Sequence, residues 1–186
     1  TYMVSEGTLA RVAMLAEELN APIQIHLHET RDEVLASVER SGVRPIDFLE
    51  QVGLLGPRTQ CVHMAALGDQ DIETVARHGA HVVHCPRSNL KLGSGICPVQ
   101  KLLDREINVA LGTDGAASNN RLSMLGELQT ASLIGKSQHD DPKAVDAWSV
   151  LEMATLHGAT ALGRQDQLGS IEVGKAADLI ALNLSG

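Results

Sequence analysis

Short β-branched apolar runs alternate along this chain with stretches of helical periodicity, and that alternation constrains the fold more than any other feature. Apolar residues between Thr8 and Leu19 recur at helical spacing as Leu9, Val12, Ala13, Leu15, Ala16 and Leu19, and Asn20-Ala-Pro22 then stops the helix. Ile23 to Leu27 has the character of a strand, Arg31 to Glu39 and Pro45 to Val52 of helices, and Thr59 to His63 of a second strand. A helix over Gln70 to His78 leads to a strand at Ala80 to Cys85, and a helix over Pro98 to Arg105 leads to a strand at Ile107 to Gly112. Farther on, Asn119-Asn120 is placed to cap a helix from Arg121 to Lys136, and helix is expected again from Lys143 to Gly163. The apolar runs on either side of Gly174-Lys175 are expected to form two late strands of a small β element.

Strands joined by helical crossovers pair in parallel and need both sheet faces covered, which leaves a doubly wound sheet or a (β/α) barrel. The polar residues favour the barrel. His26, His63, His84 with Cys85, and Asp114 fall at or just past the carboxyl ends of successive strands, where barrel enzymes place their chemistry. A dinucleotide-binding sheet would carry G-x-G-x-x-G after a strand, and no such run occurs. A complete barrel has eight strands and about 250 residues, whereas this chain offers four strands in 186 residues. The expectation is an α/β chain that forms the second half of a barrel over residues 1–165, followed by part of a small β domain over 166–186.

Composition narrows the function. Fifteen Lys and Arg against 23 Asp and Glu leave a net charge of −8, which argues against a nucleic-acid polymer, because phosphate neutralisation needs a basic surface. No apolar run approaches the roughly 18 residues of a membrane span, and no basic, apolar leader pattern is seen. Cys61, Cys85 and Cys97 are odd in number and lack C-x-x-C spacing, so neither a disulfide framework nor a zinc ribbon is expected. A cytoplasmic protein is expected.

Candidate chemistry lies at the strand ends. An imidazole with a carboxylate three positions on can serve as metal ligand and proton shuttle, and His26-Leu-His-Glu29 has that form. Alone, such a cluster could equally do no more than satisfy backbone groups. His63 and Asp114 end later strands, so three metal-suited side chains would converge on one rim. His26 and His28 also make an H-x-H pair. Only three strand-helix units follow that strand, too few for the opening strand of a barrel, so His28 is assigned to the rim or to support of the ligands. Cys85 beside His84 suggests a nucleophile and base, but neighbours on a strand face opposite ways. In Pro86-Arg-Ser-Asn-Leu-Lys91, on the same rim, Ser88 is read as a turn residue, and His84 and Asn89 stay open. Ser118-Asn119-Asn120 is read as helix capping, and His78, His81, His139 and His157 as packing or solvent residues.

Taken in order, Tyr2-Met-Val-Ser5, Ile25-His-Leu-His-Glu-Thr30, Val62-His63-Met64, Val83 to Leu92, Leu111-Gly-Thr-Asp-Gly-Ala-Ala-Ser-Asn-Asn120 and Gly169-Ser-Ile-Glu-Val-Gly-Lys-Ala-Ala-Asp178 resemble the amidohydrolase superfamily. The resemblance covers essentially the whole chain and points within that superfamily to the TRZ/ATZ-type deaminases. It implies a (β/α)8 TIM-type metal-dependent hydrolase barrel, of which this chain would hold the C-terminal half, strands five to eight. The C-terminal part of a small β-sandwich is implied near Ile171 to Leu184. The resemblance further implies one Zn2+, or another divalent metal, held by His26 and Asp114 together with a first-strand H-x-H pair outside this sequence. A substrate-contacting histidine three residues before Tyr2 would also lie outside it. Carried over residue by residue, the catalytic roles fall on Glu29, His63 and Asp114. Glu29 would protonate a ring nitrogen, Asp114 would serve as ligand and base, and His63 would hydrogen-bond the attacking oxygen as a donor. Glu29 and His63 would also contact substrate. The implied substrate is a purine nucleoside of the 5-methylthioadenosine or S-adenosylhomocysteine type. Triazine dechlorination, guanine-type deamination and a non-catalytic homologue are the alternatives, and a homodimer or larger assembly is compatible with the family. Half a barrel exposes two strand edges and an apolar inner face, so the chain by itself is expected to be inactive and aggregation-prone.

Overall fold

The computed structural model describes residues 4–183; the resemblance at Tyr2 and Met3 and the expected end of the β element at Leu184 lie outside them. Helix α1 (Glu6–Glu18) begins where Ser5 Oγ accepts the Thr8 N–H at 3.3 Å. Strand β1 (Ile23–Leu27) follows, then α2 (Arg31–Ser41) and α3 (Pro45–Gln51), β2 (Thr59–His63), α4 (Asp69–His78) and β3 (His81–His84). Next come α5 (Pro86–Leu92), α6 (Val99–Leu103), β4 (Val109–Leu111), α7 (Met124–His139), α8 (Ala147–Met153) and α9 (Leu156–Ala161). Proline at the first turn of α3 and α5 suits their starts, because the missing N–H has no helical partner there and φ is already helical.

The four strands are parallel and lie in sequence order, β1-β2-β3-β4. A doubly wound sheet reverses its order at a switch point; here each crossover advances the same way, as a barrel wall requires. Register sets His26 beside Val62, Val62 beside Val83 and Val83 beside Ala110, one layer of side chains across the sheet. Val62, Val83, Ala110 and Cys85 form one apolar cluster with Ala161. The alternate positions, Leu27, Cys61, Val82, Val109 and Leu111, pack in the main core with Ile46 and Leu49 of α3, Ile72 and Val75 of α4 and Leu102 of α6. Helices α3, α4 and α6 therefore cover one face and the His26-bearing layer belongs to the other, where the end of α9 packs through Ala161, as the two-residue period of a strand requires.

Several expectations need correction. Pro86 to Lys91, expected as a turn, lies in helix α5, with Gly93 at φ 67° as its left-handed C-cap. Helix α7 starts at Met124, where Ser123 Oγ accepts the Gly126 N–H at 3.3 Å. Asn119 does not cap it: its Oδ1 accepts the Arg121 N–H at 3.2 Å, short of the helix, and its Nδ2 donates to Thr113 O and Glu127 Oε1. The helix expected over Lys143 to Gly163 is broken into α8 and α9 at Ala154-Thr155. Among the described residues no strand follows β4, and Ile171, Val173 and Ile180 are exposed. An isolated strand leaves its backbone donors and acceptors without a ladder, so those apolar runs need a partner the described residues do not supply. Among the described residues, no helix is long and apolar enough to cross a membrane.

Candidate metal centre and active site

Ligand-capable atoms of His26, His63 and Asp114 lie within 4.8 Å of one another. Three different strands deliver them: His26 is the fourth residue of β1, His63 the last of β2, and Asp114 follows β4 by three residues. The rings of His26 and His63 meet edge to face, with centroids 4.6 Å apart and planes at 81°. The backbone bends sharply at these strand ends. His28, His63, Met64 and Asp114 have φ values of 51°, 78°, 49° and 58°, a left-handed region that side chains other than glycine seldom occupy. Such bends turn a side chain away from the strand's alternation, and their gathering at one rim matches the concentration of backbone strain at functional sites.

Asp114, His63 and Glu29 are held from behind. Asp114 Oδ2 accepts a hydrogen bond from Ser88 Oγ at 2.7 Å. Partial burial would raise the Asp114 pKa, but the Ser88 hydroxyl, the Gly115 N–H and the charges of His63 and His26 outweigh it, and the carboxyl lies below its ordinary value. His63, 1% exposed, donates its Nδ1–H to Asn89 Oδ1 at 2.9 Å, because an amide oxygen can only accept. Its Nε2 lies 3.8 Å from Glu29 Oε2. Glu29 is itself fixed: Ser94 Oγ donates to its Oε1 at 2.9 Å, and its backbone N–H donates to Glu33 Oε2 at 2.7 Å. Two imidazoles and a carboxylate on one space are the borderline nitrogen and oxygen donors that suit Zn2+, and each comes from a strand or from the loop directly after one, so the residues present fit a metal of that class.

His28 is not part of this set. Its Nε2 accepts the Ile46 N–H at 3.2 Å and its Nδ1–H donates to Ala66 O at 3.1 Å, so both ring nitrogens are used and an H-x-H metal pair with His26 is ruled out. Burial pushes its pKa down against the opposing pull of Asp71. Asp71 in turn receives Arg44 Nε at 3.0 Å and the Gly68 N–H at 2.6 Å, so one buried network ties the turns after β1 and β2 together. Cys85 is no nucleophile. Burial, then Asp114 and Glu127, push its thiol up to about 12. His84 is pushed down to about 3 by burial and by His63, and its Nδ1 has no hydrogen-bond partner. His78 pairs with Glu50, while His81 and His157 bond backbone carbonyls, all away from the rim.

His26, Glu29, His63 and Asp114, expected at one rim, do lie together there, and the residues that hold them have no counterpart in the sequence expectations. Ser88, expected in a turn, touches Asp114 from helix α5, and Asn89 touches His63. Glu127, fully buried, was not singled out at all, and accepts the Arg87 N–H at 3.1 Å and Asn119 Nδ2 at 2.7 Å. The available signal for the first two was Pro86, which starts a helix as readily as it makes a turn. For Glu127 there is none, because the first turn of a solvated helix carries an acidic residue just as readily.

The sequence profile described as "Amidohydrolase family" matches residues 1–185. A 5-methylthioadenosine/S-adenosylhomocysteine deaminase of Teredinibacter turnerae is 53% identical over 184 residues, 99% of this chain and 42% of the relative. A 5'-deoxyadenosine deaminase of Methanothermobacter thermautotrophicus is 47% identical over 98% of this chain and 42% of its own length. Among solved structures, an adenosine deaminase of Xanthomonas campestris with bound zinc superposes with a TM-score of 0.92 at 48% identity, covering 94% of this chain and 40% of that one. The chain thus spans about two fifths of the length of the relatives it matches. Its parallel α/β sheet is part of the barrel these neighbours share. With the profile match running almost from end to end, the chain belongs to the amidohydrolase family.

Proposed function

We propose that this chain is the C-terminal half of the catalytic barrel of a zinc-dependent hydrolytic deaminase acting on an adenine nucleoside. The 5-methylthioadenosine or S-adenosylhomocysteine type is the leading substrate class, on the names of the similar proteins. The observation that carries the reading is the convergence of His26, His63 and Asp114 within 4.8 Å, with Glu29 facing His63. His26 and Asp114 would hold the metal, completed by ligands outside this chain. Zinc in such a setting lowers the pKa of water from about 16 toward about 7 and so supplies a nucleophile at neutral pH.

The chain's own residues do the rest. Asp114 takes the proton of the attacking water and passes it toward the departing amine. Glu29, held by Ser94, protonates the ring nitrogen beside the attacked carbon, where negative charge would otherwise build as the tetrahedral intermediate forms. His63 hydrogen-bonds the attacking oxygen and fixes its approach. Free, buried cysteines fit a reducing cytoplasm. The test uses the full-length protein. Zinc content is measured, and loss of the adenine absorbance is followed with methylthioadenosine, S-adenosylhomocysteine, 5'-deoxyadenosine, adenosine and guanine in turn. Zinc near one per subunit with turnover of a 5'-substituted adenosine supports the reading; a metal-free protein inert to all five removes it.

A further inference from the structure

We propose that helix α5 is a positioning device for the site: Asn89 sets the tautomer of His63, Ser88 aims the Asp114 carboxylate, and buried Glu127 locks the helix to the loop that carries Asp114. The inference deepens the deaminase reading and leans on it only for its activity readout.

Ser88 and Asn89 are consecutive and both buried. Neighbours on a helix point about 100° apart, so two adjacent side chains can serve two targets on different strands. Ser88 Oγ donates to Asp114 Oδ2 at 2.7 Å, and Asn89 Oδ1 receives His63 Nδ1–H at 2.9 Å. The second bond carries chemical information. With the proton on Nδ1, a neutral imidazole keeps its lone pair on Nε2, the nitrogen that lies 3.8 Å from the Glu29 carboxylate. A lone pair there can coordinate a cation or accept a proton from water, and it cannot donate. The attacking water therefore donates to His63, the reverse of the direction the family resemblance suggested.

Glu127 holds the helix that does this. Burying a carboxylate is costly unless its oxygens are hydrogen-bonded, and both are. Oε2 accepts the Arg87 N–H in the first turn of α5, and Oε1 accepts Asn119 Nδ2, which also donates to Thr113 O at 2.9 Å, one residue before Asp114. One side chain thus ties the helix bearing Ser88 and Asn89 to the loop bearing Asp114. The opposite amide orientation, in which Asn89 Nδ2 donates to a bare Nδ1, would put the His63 proton on Nε2 and demand the other tautomer.

The full-length protein labelled with 15N-histidine, with metal removed, decides between them. His63 is assigned by its loss in His63→Asn, and its two ring nitrogens are read by long-range 1H–15N correlation. The proposal expects a protonated Nδ1 and an unprotonated Nε2; a protonated Nε2 in the native protein overturns it, with no variant required. Asn89→Leu should lose that preference and lower kcat about 10- to 100-fold, with KM little changed and zinc content near the native level. Asn89→Asp keeps the acceptor oxygen and should restore both the tautomer and most of the turnover. Ser88→Ala should weaken zinc about 10-fold and leave the His63 tautomer alone. An Asn89→Leu protein that folds with the tautomer unchanged also overturns the proposal. If the native protein deaminates no purine nucleoside, the functional reading fails, and the tautomer and zinc titrations still decide this one.

Discussion

Glu29 and Cys85 lie close to the same rim and have opposite fates. The Glu29 carboxylate is about one-tenth exposed and anchored through a single oxygen to Ser94, which leaves the other turned to His63. Glu29→Gln preserves that size and anchoring contact while removing the transferable proton, so zinc content should stay at the native level while kcat falls by about 10² to 10⁴. Retained turnover in that variant would take Glu29 out of the proton-transfer role. Cys85, buried and raised to about 12, is held as a thiol, and native protein treated with iodoacetamide at pH 8 should show no mass increase there until it is unfolded. The buried histidines carry a pH dependence. His28 and His84 both titrate below their ordinary value in the folded state, so the unfolded chain binds more protons once pH drops below about 6.5. Their stabilising effect is complete above that pH and declines below it, by at most about 1.4 kcal/mol per pH unit for each group. Urea unfolding at pH 7, 6 and 5 should show that decline, and His84→Leu should reduce its slope by about one proton; an unchanged slope would mean His84 is protonated in the fold.

Elements with a long apolar period were legible, and those defined by a single polar contact were not. Helix α4 and strand β2 fall close to their expected positions because alternation and helical spacing report which face is buried. Helix α5 was missed because Pro-Arg-Ser-Asn satisfies turn chemistry and helix-start chemistry equally well. The start of α7 was misplaced by three residues because Asn119 and Ser123 are both competent caps, and only the position of Glu127 decides which is needed elsewhere. The turns after β1 and β2 depend likewise on Asp71, a buried residue in the first turn of α4 that joins Gly68, Arg44 and, at 3.8 Å, His28. Asp71→Ala should cost about 1 to 3 kcal/mol in urea unfolding, the value being held down because the Arg44 side chain is 37% exposed and can be rehydrated. No loss of stability would show that the two turns are held by packing alone.

At the scale of the molecule, the sheet among the described residues ends in two open edges, β1 and β4, and His26 is exposed on the face away from α3, α4 and α6, while Val62, Val83 and Ala110 of its layer are buried with Ala161 of α9. Large apolar side chains on the helices and at their ends are bare, among them Leu15, Leu19, Leu35, Leu133 and Trp148. Unpaired edges and bare apolar surface drive association, so the 186-residue chain produced alone should bind a hydrophobic dye strongly, elute as aggregates and lack activity. Co-production with the upstream part of the full-length protein should restore a dispersed, zinc-binding species; a monodisperse, zinc-loaded, active sample of the isolated chain would contradict this. What the amino-acid order determined was the alternation of strands and helices and, through it, the rim. Parallel strands all present their carboxyl ends on one side, so His26, Glu29, His63 and Asp114 could be placed together without coordinates. What only the tertiary structure decided was who holds whom. Ser88 meets Asp114 and Asn89 meets His63 across 26 residues each, and Glu127 meets Arg87 across 40. Those pairings depend on how far each helix is rotated against its neighbours, which core packing sets and local periodicity does not encode.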